Sequence, residues 1–412
     1  MFSAEKLSRY ADVIVRQGLA VQPGQVVNVA GEVVHIELIR AIVAACYKAR
    51  ALQVSYELID PFCEREHIVS ASNEGLDFVP RHFSERSNQI VEQAGCSVRI
   101  VGLDDEHFWK RVDSARISRV NKHKREARKL LYEKGINQGA VQWCVAAGAT
   151  PGWAQRLYPQ LSPEAALERL WEQLYSLVRA DQEDPLTAWK LHAEKLKRRC
   201  EWLNNLNISE LHFQGPGTDL RVGLSWQARF TGGTHKSSSG TEFTPNVPTE
   251  EVFTTPDWHL TTGVVRATRP VLIYGKPVEG LVCEFQKGRL VNFSANVGAD
   301  SFAALIDTDE GARQLGEVAL VGIDSPVFQS GMVFNEILLD ENAACHIAVG
   351  SAYRNCLQGS TDMSEENLKE VGCNESKIHV DLMISDEETN VTAVTRQQGP
   401  VPLIRSGLFV EA

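Results

Sequence analysis

Through the first half of the chain, runs of β-branched residues alternate with amphipathic helical patterns, and this alternation limits the possible folds more than any other feature of the sequence. Ser3 stands as a helix N-cap ahead of an apolar stripe made by Leu7, Tyr10, Ala11 and Ile14. Pro23 and Gly24 mark a turn into an extended run at 25–29, followed by a helix through 37–43 and a strand at 52–58. A helix near 77–95, a strand at 97–101, a basic helix around 122–129 and a strand at 140–145 continue the rhythm. Right-handed crossovers of this kind build an open, largely parallel sheet covered by helices, so the N-terminal part is expected to be an α/β domain. No Gly-x-Gly-x-x-Gly follows any of these strands, which argues against a dinucleotide site.

The pattern then changes. Residues 162–205 read as two long helices separated by the acidic, proline-bearing stretch 181–185. Beyond about 208 come short β-like runs at 211–213, 220–224, 264–266 and 281–285, punctuated by glycine-bearing turns. A chain of 412 residues is too long for one ordinary core. The expected organisation is therefore an α/β domain at 1–205 and a mostly β (α+β) domain at 206–412. The Gly/Ser-rich stretch 231–240 lacks the Gly-Lys-Ser/Thr order of a phosphate loop and reads as a mobile connection.

Charge and cysteine usage narrow the function. Forty-two Lys and Arg against 53 Asp and Glu give a formal net charge of −11, a field that repels nucleic acid and anionic membrane surfaces. Lys122, Lys124, Arg125, Arg128 and Lys129 form the densest basic stretch, but Glu126 interrupts it and its helical spacing fits a solvated helix face. The nine cysteines are odd in number and widely spaced, with no Cys-x-x-Cys pair, which suits free thiols in a reducing compartment. The first residues carry charges every few positions, unlike a signal peptide, and no segment approaches the roughly 18 apolar residues needed to span a bilayer. A cytoplasmic location is expected.

Residues able to ligate metal concentrate in a few short segments of the second half. In Ile378-His379-Val380-Asp381, strand alternation puts His379 and Asp381 on one side. One cation reaches both, or two adjacent cations take one each; otherwise the pair lies on the wet face of an edge strand. His346 enters an apolar run after Asp340-Glu341-Asn342, as a hydrogen-bonded core histidine or as a ligand, and Tyr353 follows seven residues later. Carboxylates occur at Glu250 and Glu251 in Pro248-Thr249-Glu250-Glu251 and at Glu317 in Leu315-Gly316-Glu317-Val318. A charge inside an apolar run needs a partner, and either an ion pair or a metal would serve Glu317. Imidazoles with several carboxylates suit zinc, cobalt, manganese or magnesium.

These segments, in this order, resemble the thermophilic-type metallo-aminopeptidases, the family of aminopeptidases T, S and II. The resemblance is continuous from about 240 to 385, and the N-terminal half fits the family in length and βαβ character. It implies two divalent metal ions per chain held by Glu251, Glu317, His346, His379 and Asp381, with Tyr353 as the active-site tyrosine. It further implies that Glu317 bridges the metals, that Glu250 or Glu251 shuttles a proton, that Tyr353 hydrogen-bonds the developing oxyanion, and that an activated water attacks the first peptide bond. Short peptides would be the substrates, admitted to an enclosed cavity in a homodimer. The rival reading is a mononuclear non-haem iron ring-cleaving dioxygenase on a related fold, because two histidines and one carboxylate are also an iron ligand set.

Overall fold

The computed structural model describes residues 3–410 other than 103, 106, 107, 110, 111, 274, 275, 361 and 362. The chain forms two compact units. One comprises Met1–Leu191 with Thr234–Pro248, the other His192–Gly233 with Thr249–Ala412.

The first unit is built on β1 (Val26–Glu32), β2 (Gln53–Ile59), β3 (Cys96–Val101) and β4 (Gln142–Ala147), ordered β2-β1-β3-β4 and all parallel. A fifth parallel strand, Asn246–Val247, pairs with β4 after a long excursion of the chain. Val27, Val29, Val98, Ile100, Cys144 and Ala146 are buried, as expected where helices cover a parallel sheet. Ser3 Oγ accepts from Lys6 N at 3.3 Å and caps the helix Ala4–Val13, whose Leu7, Tyr10, Ala11 and Val13 face inward. The Tyr10 hydroxyl then donates to Ala147 O at 2.8 Å, locking that helix to the end of β4. The helix expected near 77–95 is Arg81–Glu92, and the basic stretch ends the helix Ser114–Ala127.

The helix Pro61–Ser70 is not evident from the apolar pattern, since only Ile68 in it is buried; its signal is local, with Asp60 capping the amides of Phe62 and Cys63 ahead of Pro61. The stretch 231–240, read from sequence as a connection, contributes one strand of a short hairpin, His235–Lys236 with Glu242–Phe243.

The second unit holds two antiparallel sheets. The larger runs, edge to edge, through Arg289–Ser294, Val282–Gln286, Thr262–Arg266, Thr218–Gly223, Ile208–Gly215, Asn390–Thr395, Gly399–Arg405 and Leu408–Phe409. The smaller consists of β5 (Val252–Thr254), β6 (Leu315–Leu320), β7 (His346–Gly350) and β8 (His379–Met383), in that order. One apolar cluster joins them, with Phe213, Leu220, Val222 and Phe285 from the large sheet and Val318, Ile347, Val349 and Leu382 from the small one.

The division expected at 205/206 differs from these units in two places. The two long helices are Pro163–Leu177 and Pro185–Asn205, and the second spans the division at 191/192, because its apolar residues from Leu196 onward pack in the second unit's core. Residues 234–248 return to the first unit, where Asn246–Val247 completes the parallel sheet. No helix among the described residues is long and apolar enough to cross a membrane.

Candidate metal centre

The small sheet aligns the candidate ligands by register. Ala348 on β7 pairs with Glu317 on β6 and with Asp381 on β8. Directly opposed residues of an antiparallel sheet share a face, so the two carboxylates flank a methyl group too small to separate them. Strand alternation adds His346, two residues before Ala348, and His379, two residues before Asp381, to the same face. The fifth residue, Glu251, immediately precedes β5.

A bulge places Glu317 in that row. The β6–β7 register shifts between Leu315 and Glu317, and the extra residue is Gly316. A Cβ at Gly316 would lie 2.2 Å from Ser351 O, so only glycine allows that carbonyl so close. Ser351 O in turn accepts from His379 Nδ1 at 2.7 Å, and Ala344 O lies 3.1 Å from His346 Nδ1. Each imidazole thus gives Nδ1–H to a main-chain carbonyl and turns Nε2 toward the carboxylates, the orientation required of a metal ligand.

The Nε2 atoms lie where such ligands belong. His346 Nε2 is 3.1 Å from Glu251 Oε2, and His379 Nε2 is 3.1 Å from Glu317 Oε2 and 3.5 Å from Asp381 Oδ1. Two groups result, Glu251–Glu317–His346 and Glu317–His379–Asp381, each with ligand atoms within 4.8 Å of one another, and Glu317 belongs to both. All but half-buried His379 are buried. Among the described residues no such group contains both histidines, so the facial triad required by the iron-dioxygenase reading is not what the strands assemble.

The electrostatics are unbalanced in a way that a cation would correct. Glu251 Oε2 and Asp381 Oδ1 are buried with no aligned hydrogen-bond donor, which is costly for a carboxylate. Burial first, and then the charges of Glu251 and Asp381 over the opposing hydrogen bond from His379, push the Glu317 carboxyl up to about 7. Burial opposes protonation of His346, but Glu251, Asp381 and Glu317 override it and hold that imidazole well above its usual range. Oxygen-rich groups with one imidazole each match the donor set of a borderline divalent ion.

Glu250 and Glu251 part company just ahead of β5. Glu251 joins the cluster; Glu250 lies with its Oε2 3.5 Å from His192 Nε2 and is in neither ligand group. Tyr353 sits beside the cluster, its ring centroid 4.9 Å from that of His379 and 5.5 Å from that of Phe253. One residue escaped the sequence reasoning. Glu341 has its pKa pushed well above the carboxylate range by burial and then by the charges of Glu251 and Asp381, which puts it among the same groups. Its flanking residues explain why it looked ordinary: Asp340 caps the amides of Phe334 and Glu336, and Asn342 is a buried structural amide. The only sequence signal was a polar triplet running into an apolar strand.

An α/β unit and a β unit, the latter carrying paired histidine–carboxylate groups that share one glutamate, define a candidate metalloenzyme. More particularly, the chain belongs to the thermophilic metalloprotease (M29) family, whose model matches residues 3–409. It is 37% identical over 404 residues to "Aminopeptidase T" of Thermus thermophilus, covering 98% of each chain. It is 36% identical over 403 residues to "Aminopeptidase 2" of Geobacillus stearothermophilus, covering 98% of this chain and 97% of that one. "Aminopeptidase PepS" of Streptococcus thermophilus is 34% identical over 407 residues, with 98% of each covered. The solved structure "Wild-type AmpT from Thermus thermophilus" superposes with a TM-score of 0.91 at 35% identity, over 98% of this chain and 99% of that one.

Proposed function

We propose that this metalloprotease-family chain is an aminopeptidase that releases N-terminal residues from short peptides with two divalent ions, of zinc, cobalt, manganese or magnesium. The observation that carries the two-ion reading is the membership of Glu317 in both ligand groups. Glu251 and His346 would hold one ion, His379 and Asp381 the other, and Glu317 would serve both. Charge supports it. Glu251, Glu317 and Asp381 carry −3 when ionised and the two imidazoles are neutral as ligands, so a single divalent ion would leave the buried ligand cluster negative. The relatives' names support the reaction class.

When bound, such ions supply Lewis acidity and a water activated near neutral pH. The rest falls to the protein. Glu341, whose pKa is raised by burial, is in its ionised form a stronger base than an ordinary carboxylate and is suited to take the water's proton and pass it to the leaving amine. This role was expected of Glu250 or Glu251, but Glu250 lies beside His192 and Glu251 is needed as a ligand. Tyr353, beside His379, is suited to donate its hydroxyl to the oxyanion that forms at the scissile carbonyl.

Nine cysteines without a disulfide fit a cytoplasmic setting, which we propose together with a homodimeric assembly. The test is release of free amino acid from leucyl peptides by chelator-treated protein, with and without each metal and with N-acetylated peptides as controls. Size-exclusion with light scattering tests the dimer.

A further inference from the structure

Two buried asparagines, unused by the chemistry above, hold the two halves of the centre. Asn342 has both ends of its amide engaged, Oδ1 accepting from Glu250 N at 2.6 Å and Nδ2 donating to Leu338 O at 2.8 Å. Its main-chain carbonyl accepts from the Ser325 hydroxyl at 2.5 Å. Glu250 immediately precedes Glu251, and Asn342 immediately follows Glu341. A single amide therefore ties the segment carrying one ligand to the turn carrying the acid–base group. From its other side this segment meets His192, whose Nε2 lies 2.7 Å from Thr249 O.

Asn374 plays the corresponding part for the other half. Its Nδ2 donates to Gly350 O at 2.6 Å and Gly311 O at 2.8 Å, with Gln314 O at 3.5 Å, and its main-chain carbonyl accepts from Ala352 N at 2.9 Å. Gly350 and Ala352 flank Ser351, the residue whose carbonyl orients His379. Gln314 O also accepts from Gly350 N at 2.8 Å, so the start of β6 and the end of β7 are fixed at the point where the bulge presents Glu317.

We propose that Asn342 and Asn374 are positioning residues acting on separate halves of the centre, Asn342 on Glu251 and Glu341, Asn374 on His379. Amides suit both places, because each supplies donors to main-chain carbonyls without adding charge beside a group of carboxylates, and at Asn342 the same amide also accepts. Loss of an outer-shell partner of a metal ligand typically weakens the metal by about 10–100-fold.

The inference rests on the two-ion reading, and cobalt(II) titration of metal-free wild type, Asn342→Ala and Asn374→Ala separates the two. Visible absorption reports the coordination and chelator competition the affinity. Wild type is expected to take up two equivalents. Each variant should keep one at wild-type affinity and bind the other about 10–100-fold more weakly. Adding Glu251→Gln to Asn342→Ala should further weaken the equivalent already affected and leave the other intact, whereas adding Asp381→Asn should weaken both equivalents; with Asn374→Ala the pattern should reverse. Wild type binding fewer than two equivalents sinks the two-ion reading and this inference with it. Two equivalents in wild type, with variants that are unchanged or that weaken both alike, overturn this inference alone. Serine variants and far-UV circular dichroism accompany the alanines, and failure of both sets to fold marks the amides as scaffold only and overturns it.

Discussion

Glu317 and Asp381 stand opposite the same residue, Ala348, from the two strands on either side of it. A carboxylate, a methyl group and a carboxylate in one row of a buried sheet have no structural merit of their own, since like charges repel and burial makes this worse. The row is explained if cations occupy the face.

Glu317 is shared between the groups, so Glu317→Gln should lower metal affinity at both positions, by more than about 100-fold, since a direct ligand counts for more than an outer-shell partner. Equilibrium metal titration measures this. A variant that loses one equivalent and keeps the other intact would mean that Glu317 does not bridge.

Glu341 and Glu250 should separate cleanly. Glu341→Gln is expected to reduce kcat by about 10²–10⁴-fold with metal stoichiometry retained. Glu250→Gln should cost far less in turnover, because its carboxylate faces His192. Steady-state kinetics on metal-saturated proteins decide it, and the reverse ranking would return the acid–base role to Glu250.

Gly316→Ala puts a methyl group 2.2 Å from the Ser351 carbonyl, which must then move and release His379 Nδ1. Metal affinity in the His379–Asp381 half should fall by about 10–100-fold, as for loss of an outer-shell hydrogen bond. Chelator competition on the folded variant reads this directly; unchanged affinity would mean that the bulge does not aim the ligands.

The first unit has its own pH dependence. Burial lowers the pKa of His35 to about 4, over the opposing effects of the Gly148 carbonyl and Asp104. The unfolded chain takes up this proton near 6.5 and the native state refuses it until about 4, so stability falls as pH drops through that window. The loss is at most on the order of 3 kcal/mol. Urea unfolding at pH 7 and pH 5 should record it, and His35→Gln should flatten the slope; an equal slope in the variant would assign the effect to other groups.

The alternation of helix and strand was legible because the extended runs of the first unit all join one parallel sheet, whose inner strands are buried under helices. The family was legible because several short motifs occur in its order, and the His379–Asp381 pair because strand alternation puts both residues of His-x-Asp on a shared face. The choice between Glu250 and Glu251 was not, since both are buried and only backbone direction separates them. Glu341 was hidden for a different reason: its neighbours Asp340 and Asn342 are polar for structural purposes, and nothing local distinguishes the one residue of the three that feels the cluster. The short strand Asn246–Val247 carries too few residues to show a period, and its partner β4 lies about 100 residues earlier in sequence.

The most direct test of the central claim is amino-acid release from leucyl peptides by protein stripped with chelator and reloaded with zinc, cobalt, manganese or magnesium, read against the number of equivalents bound. No release is expected from stripped protein, full release at two equivalents, and none from N-acetylated peptides. Release that persists without metal, or that is indifferent to acetylation, would contradict it.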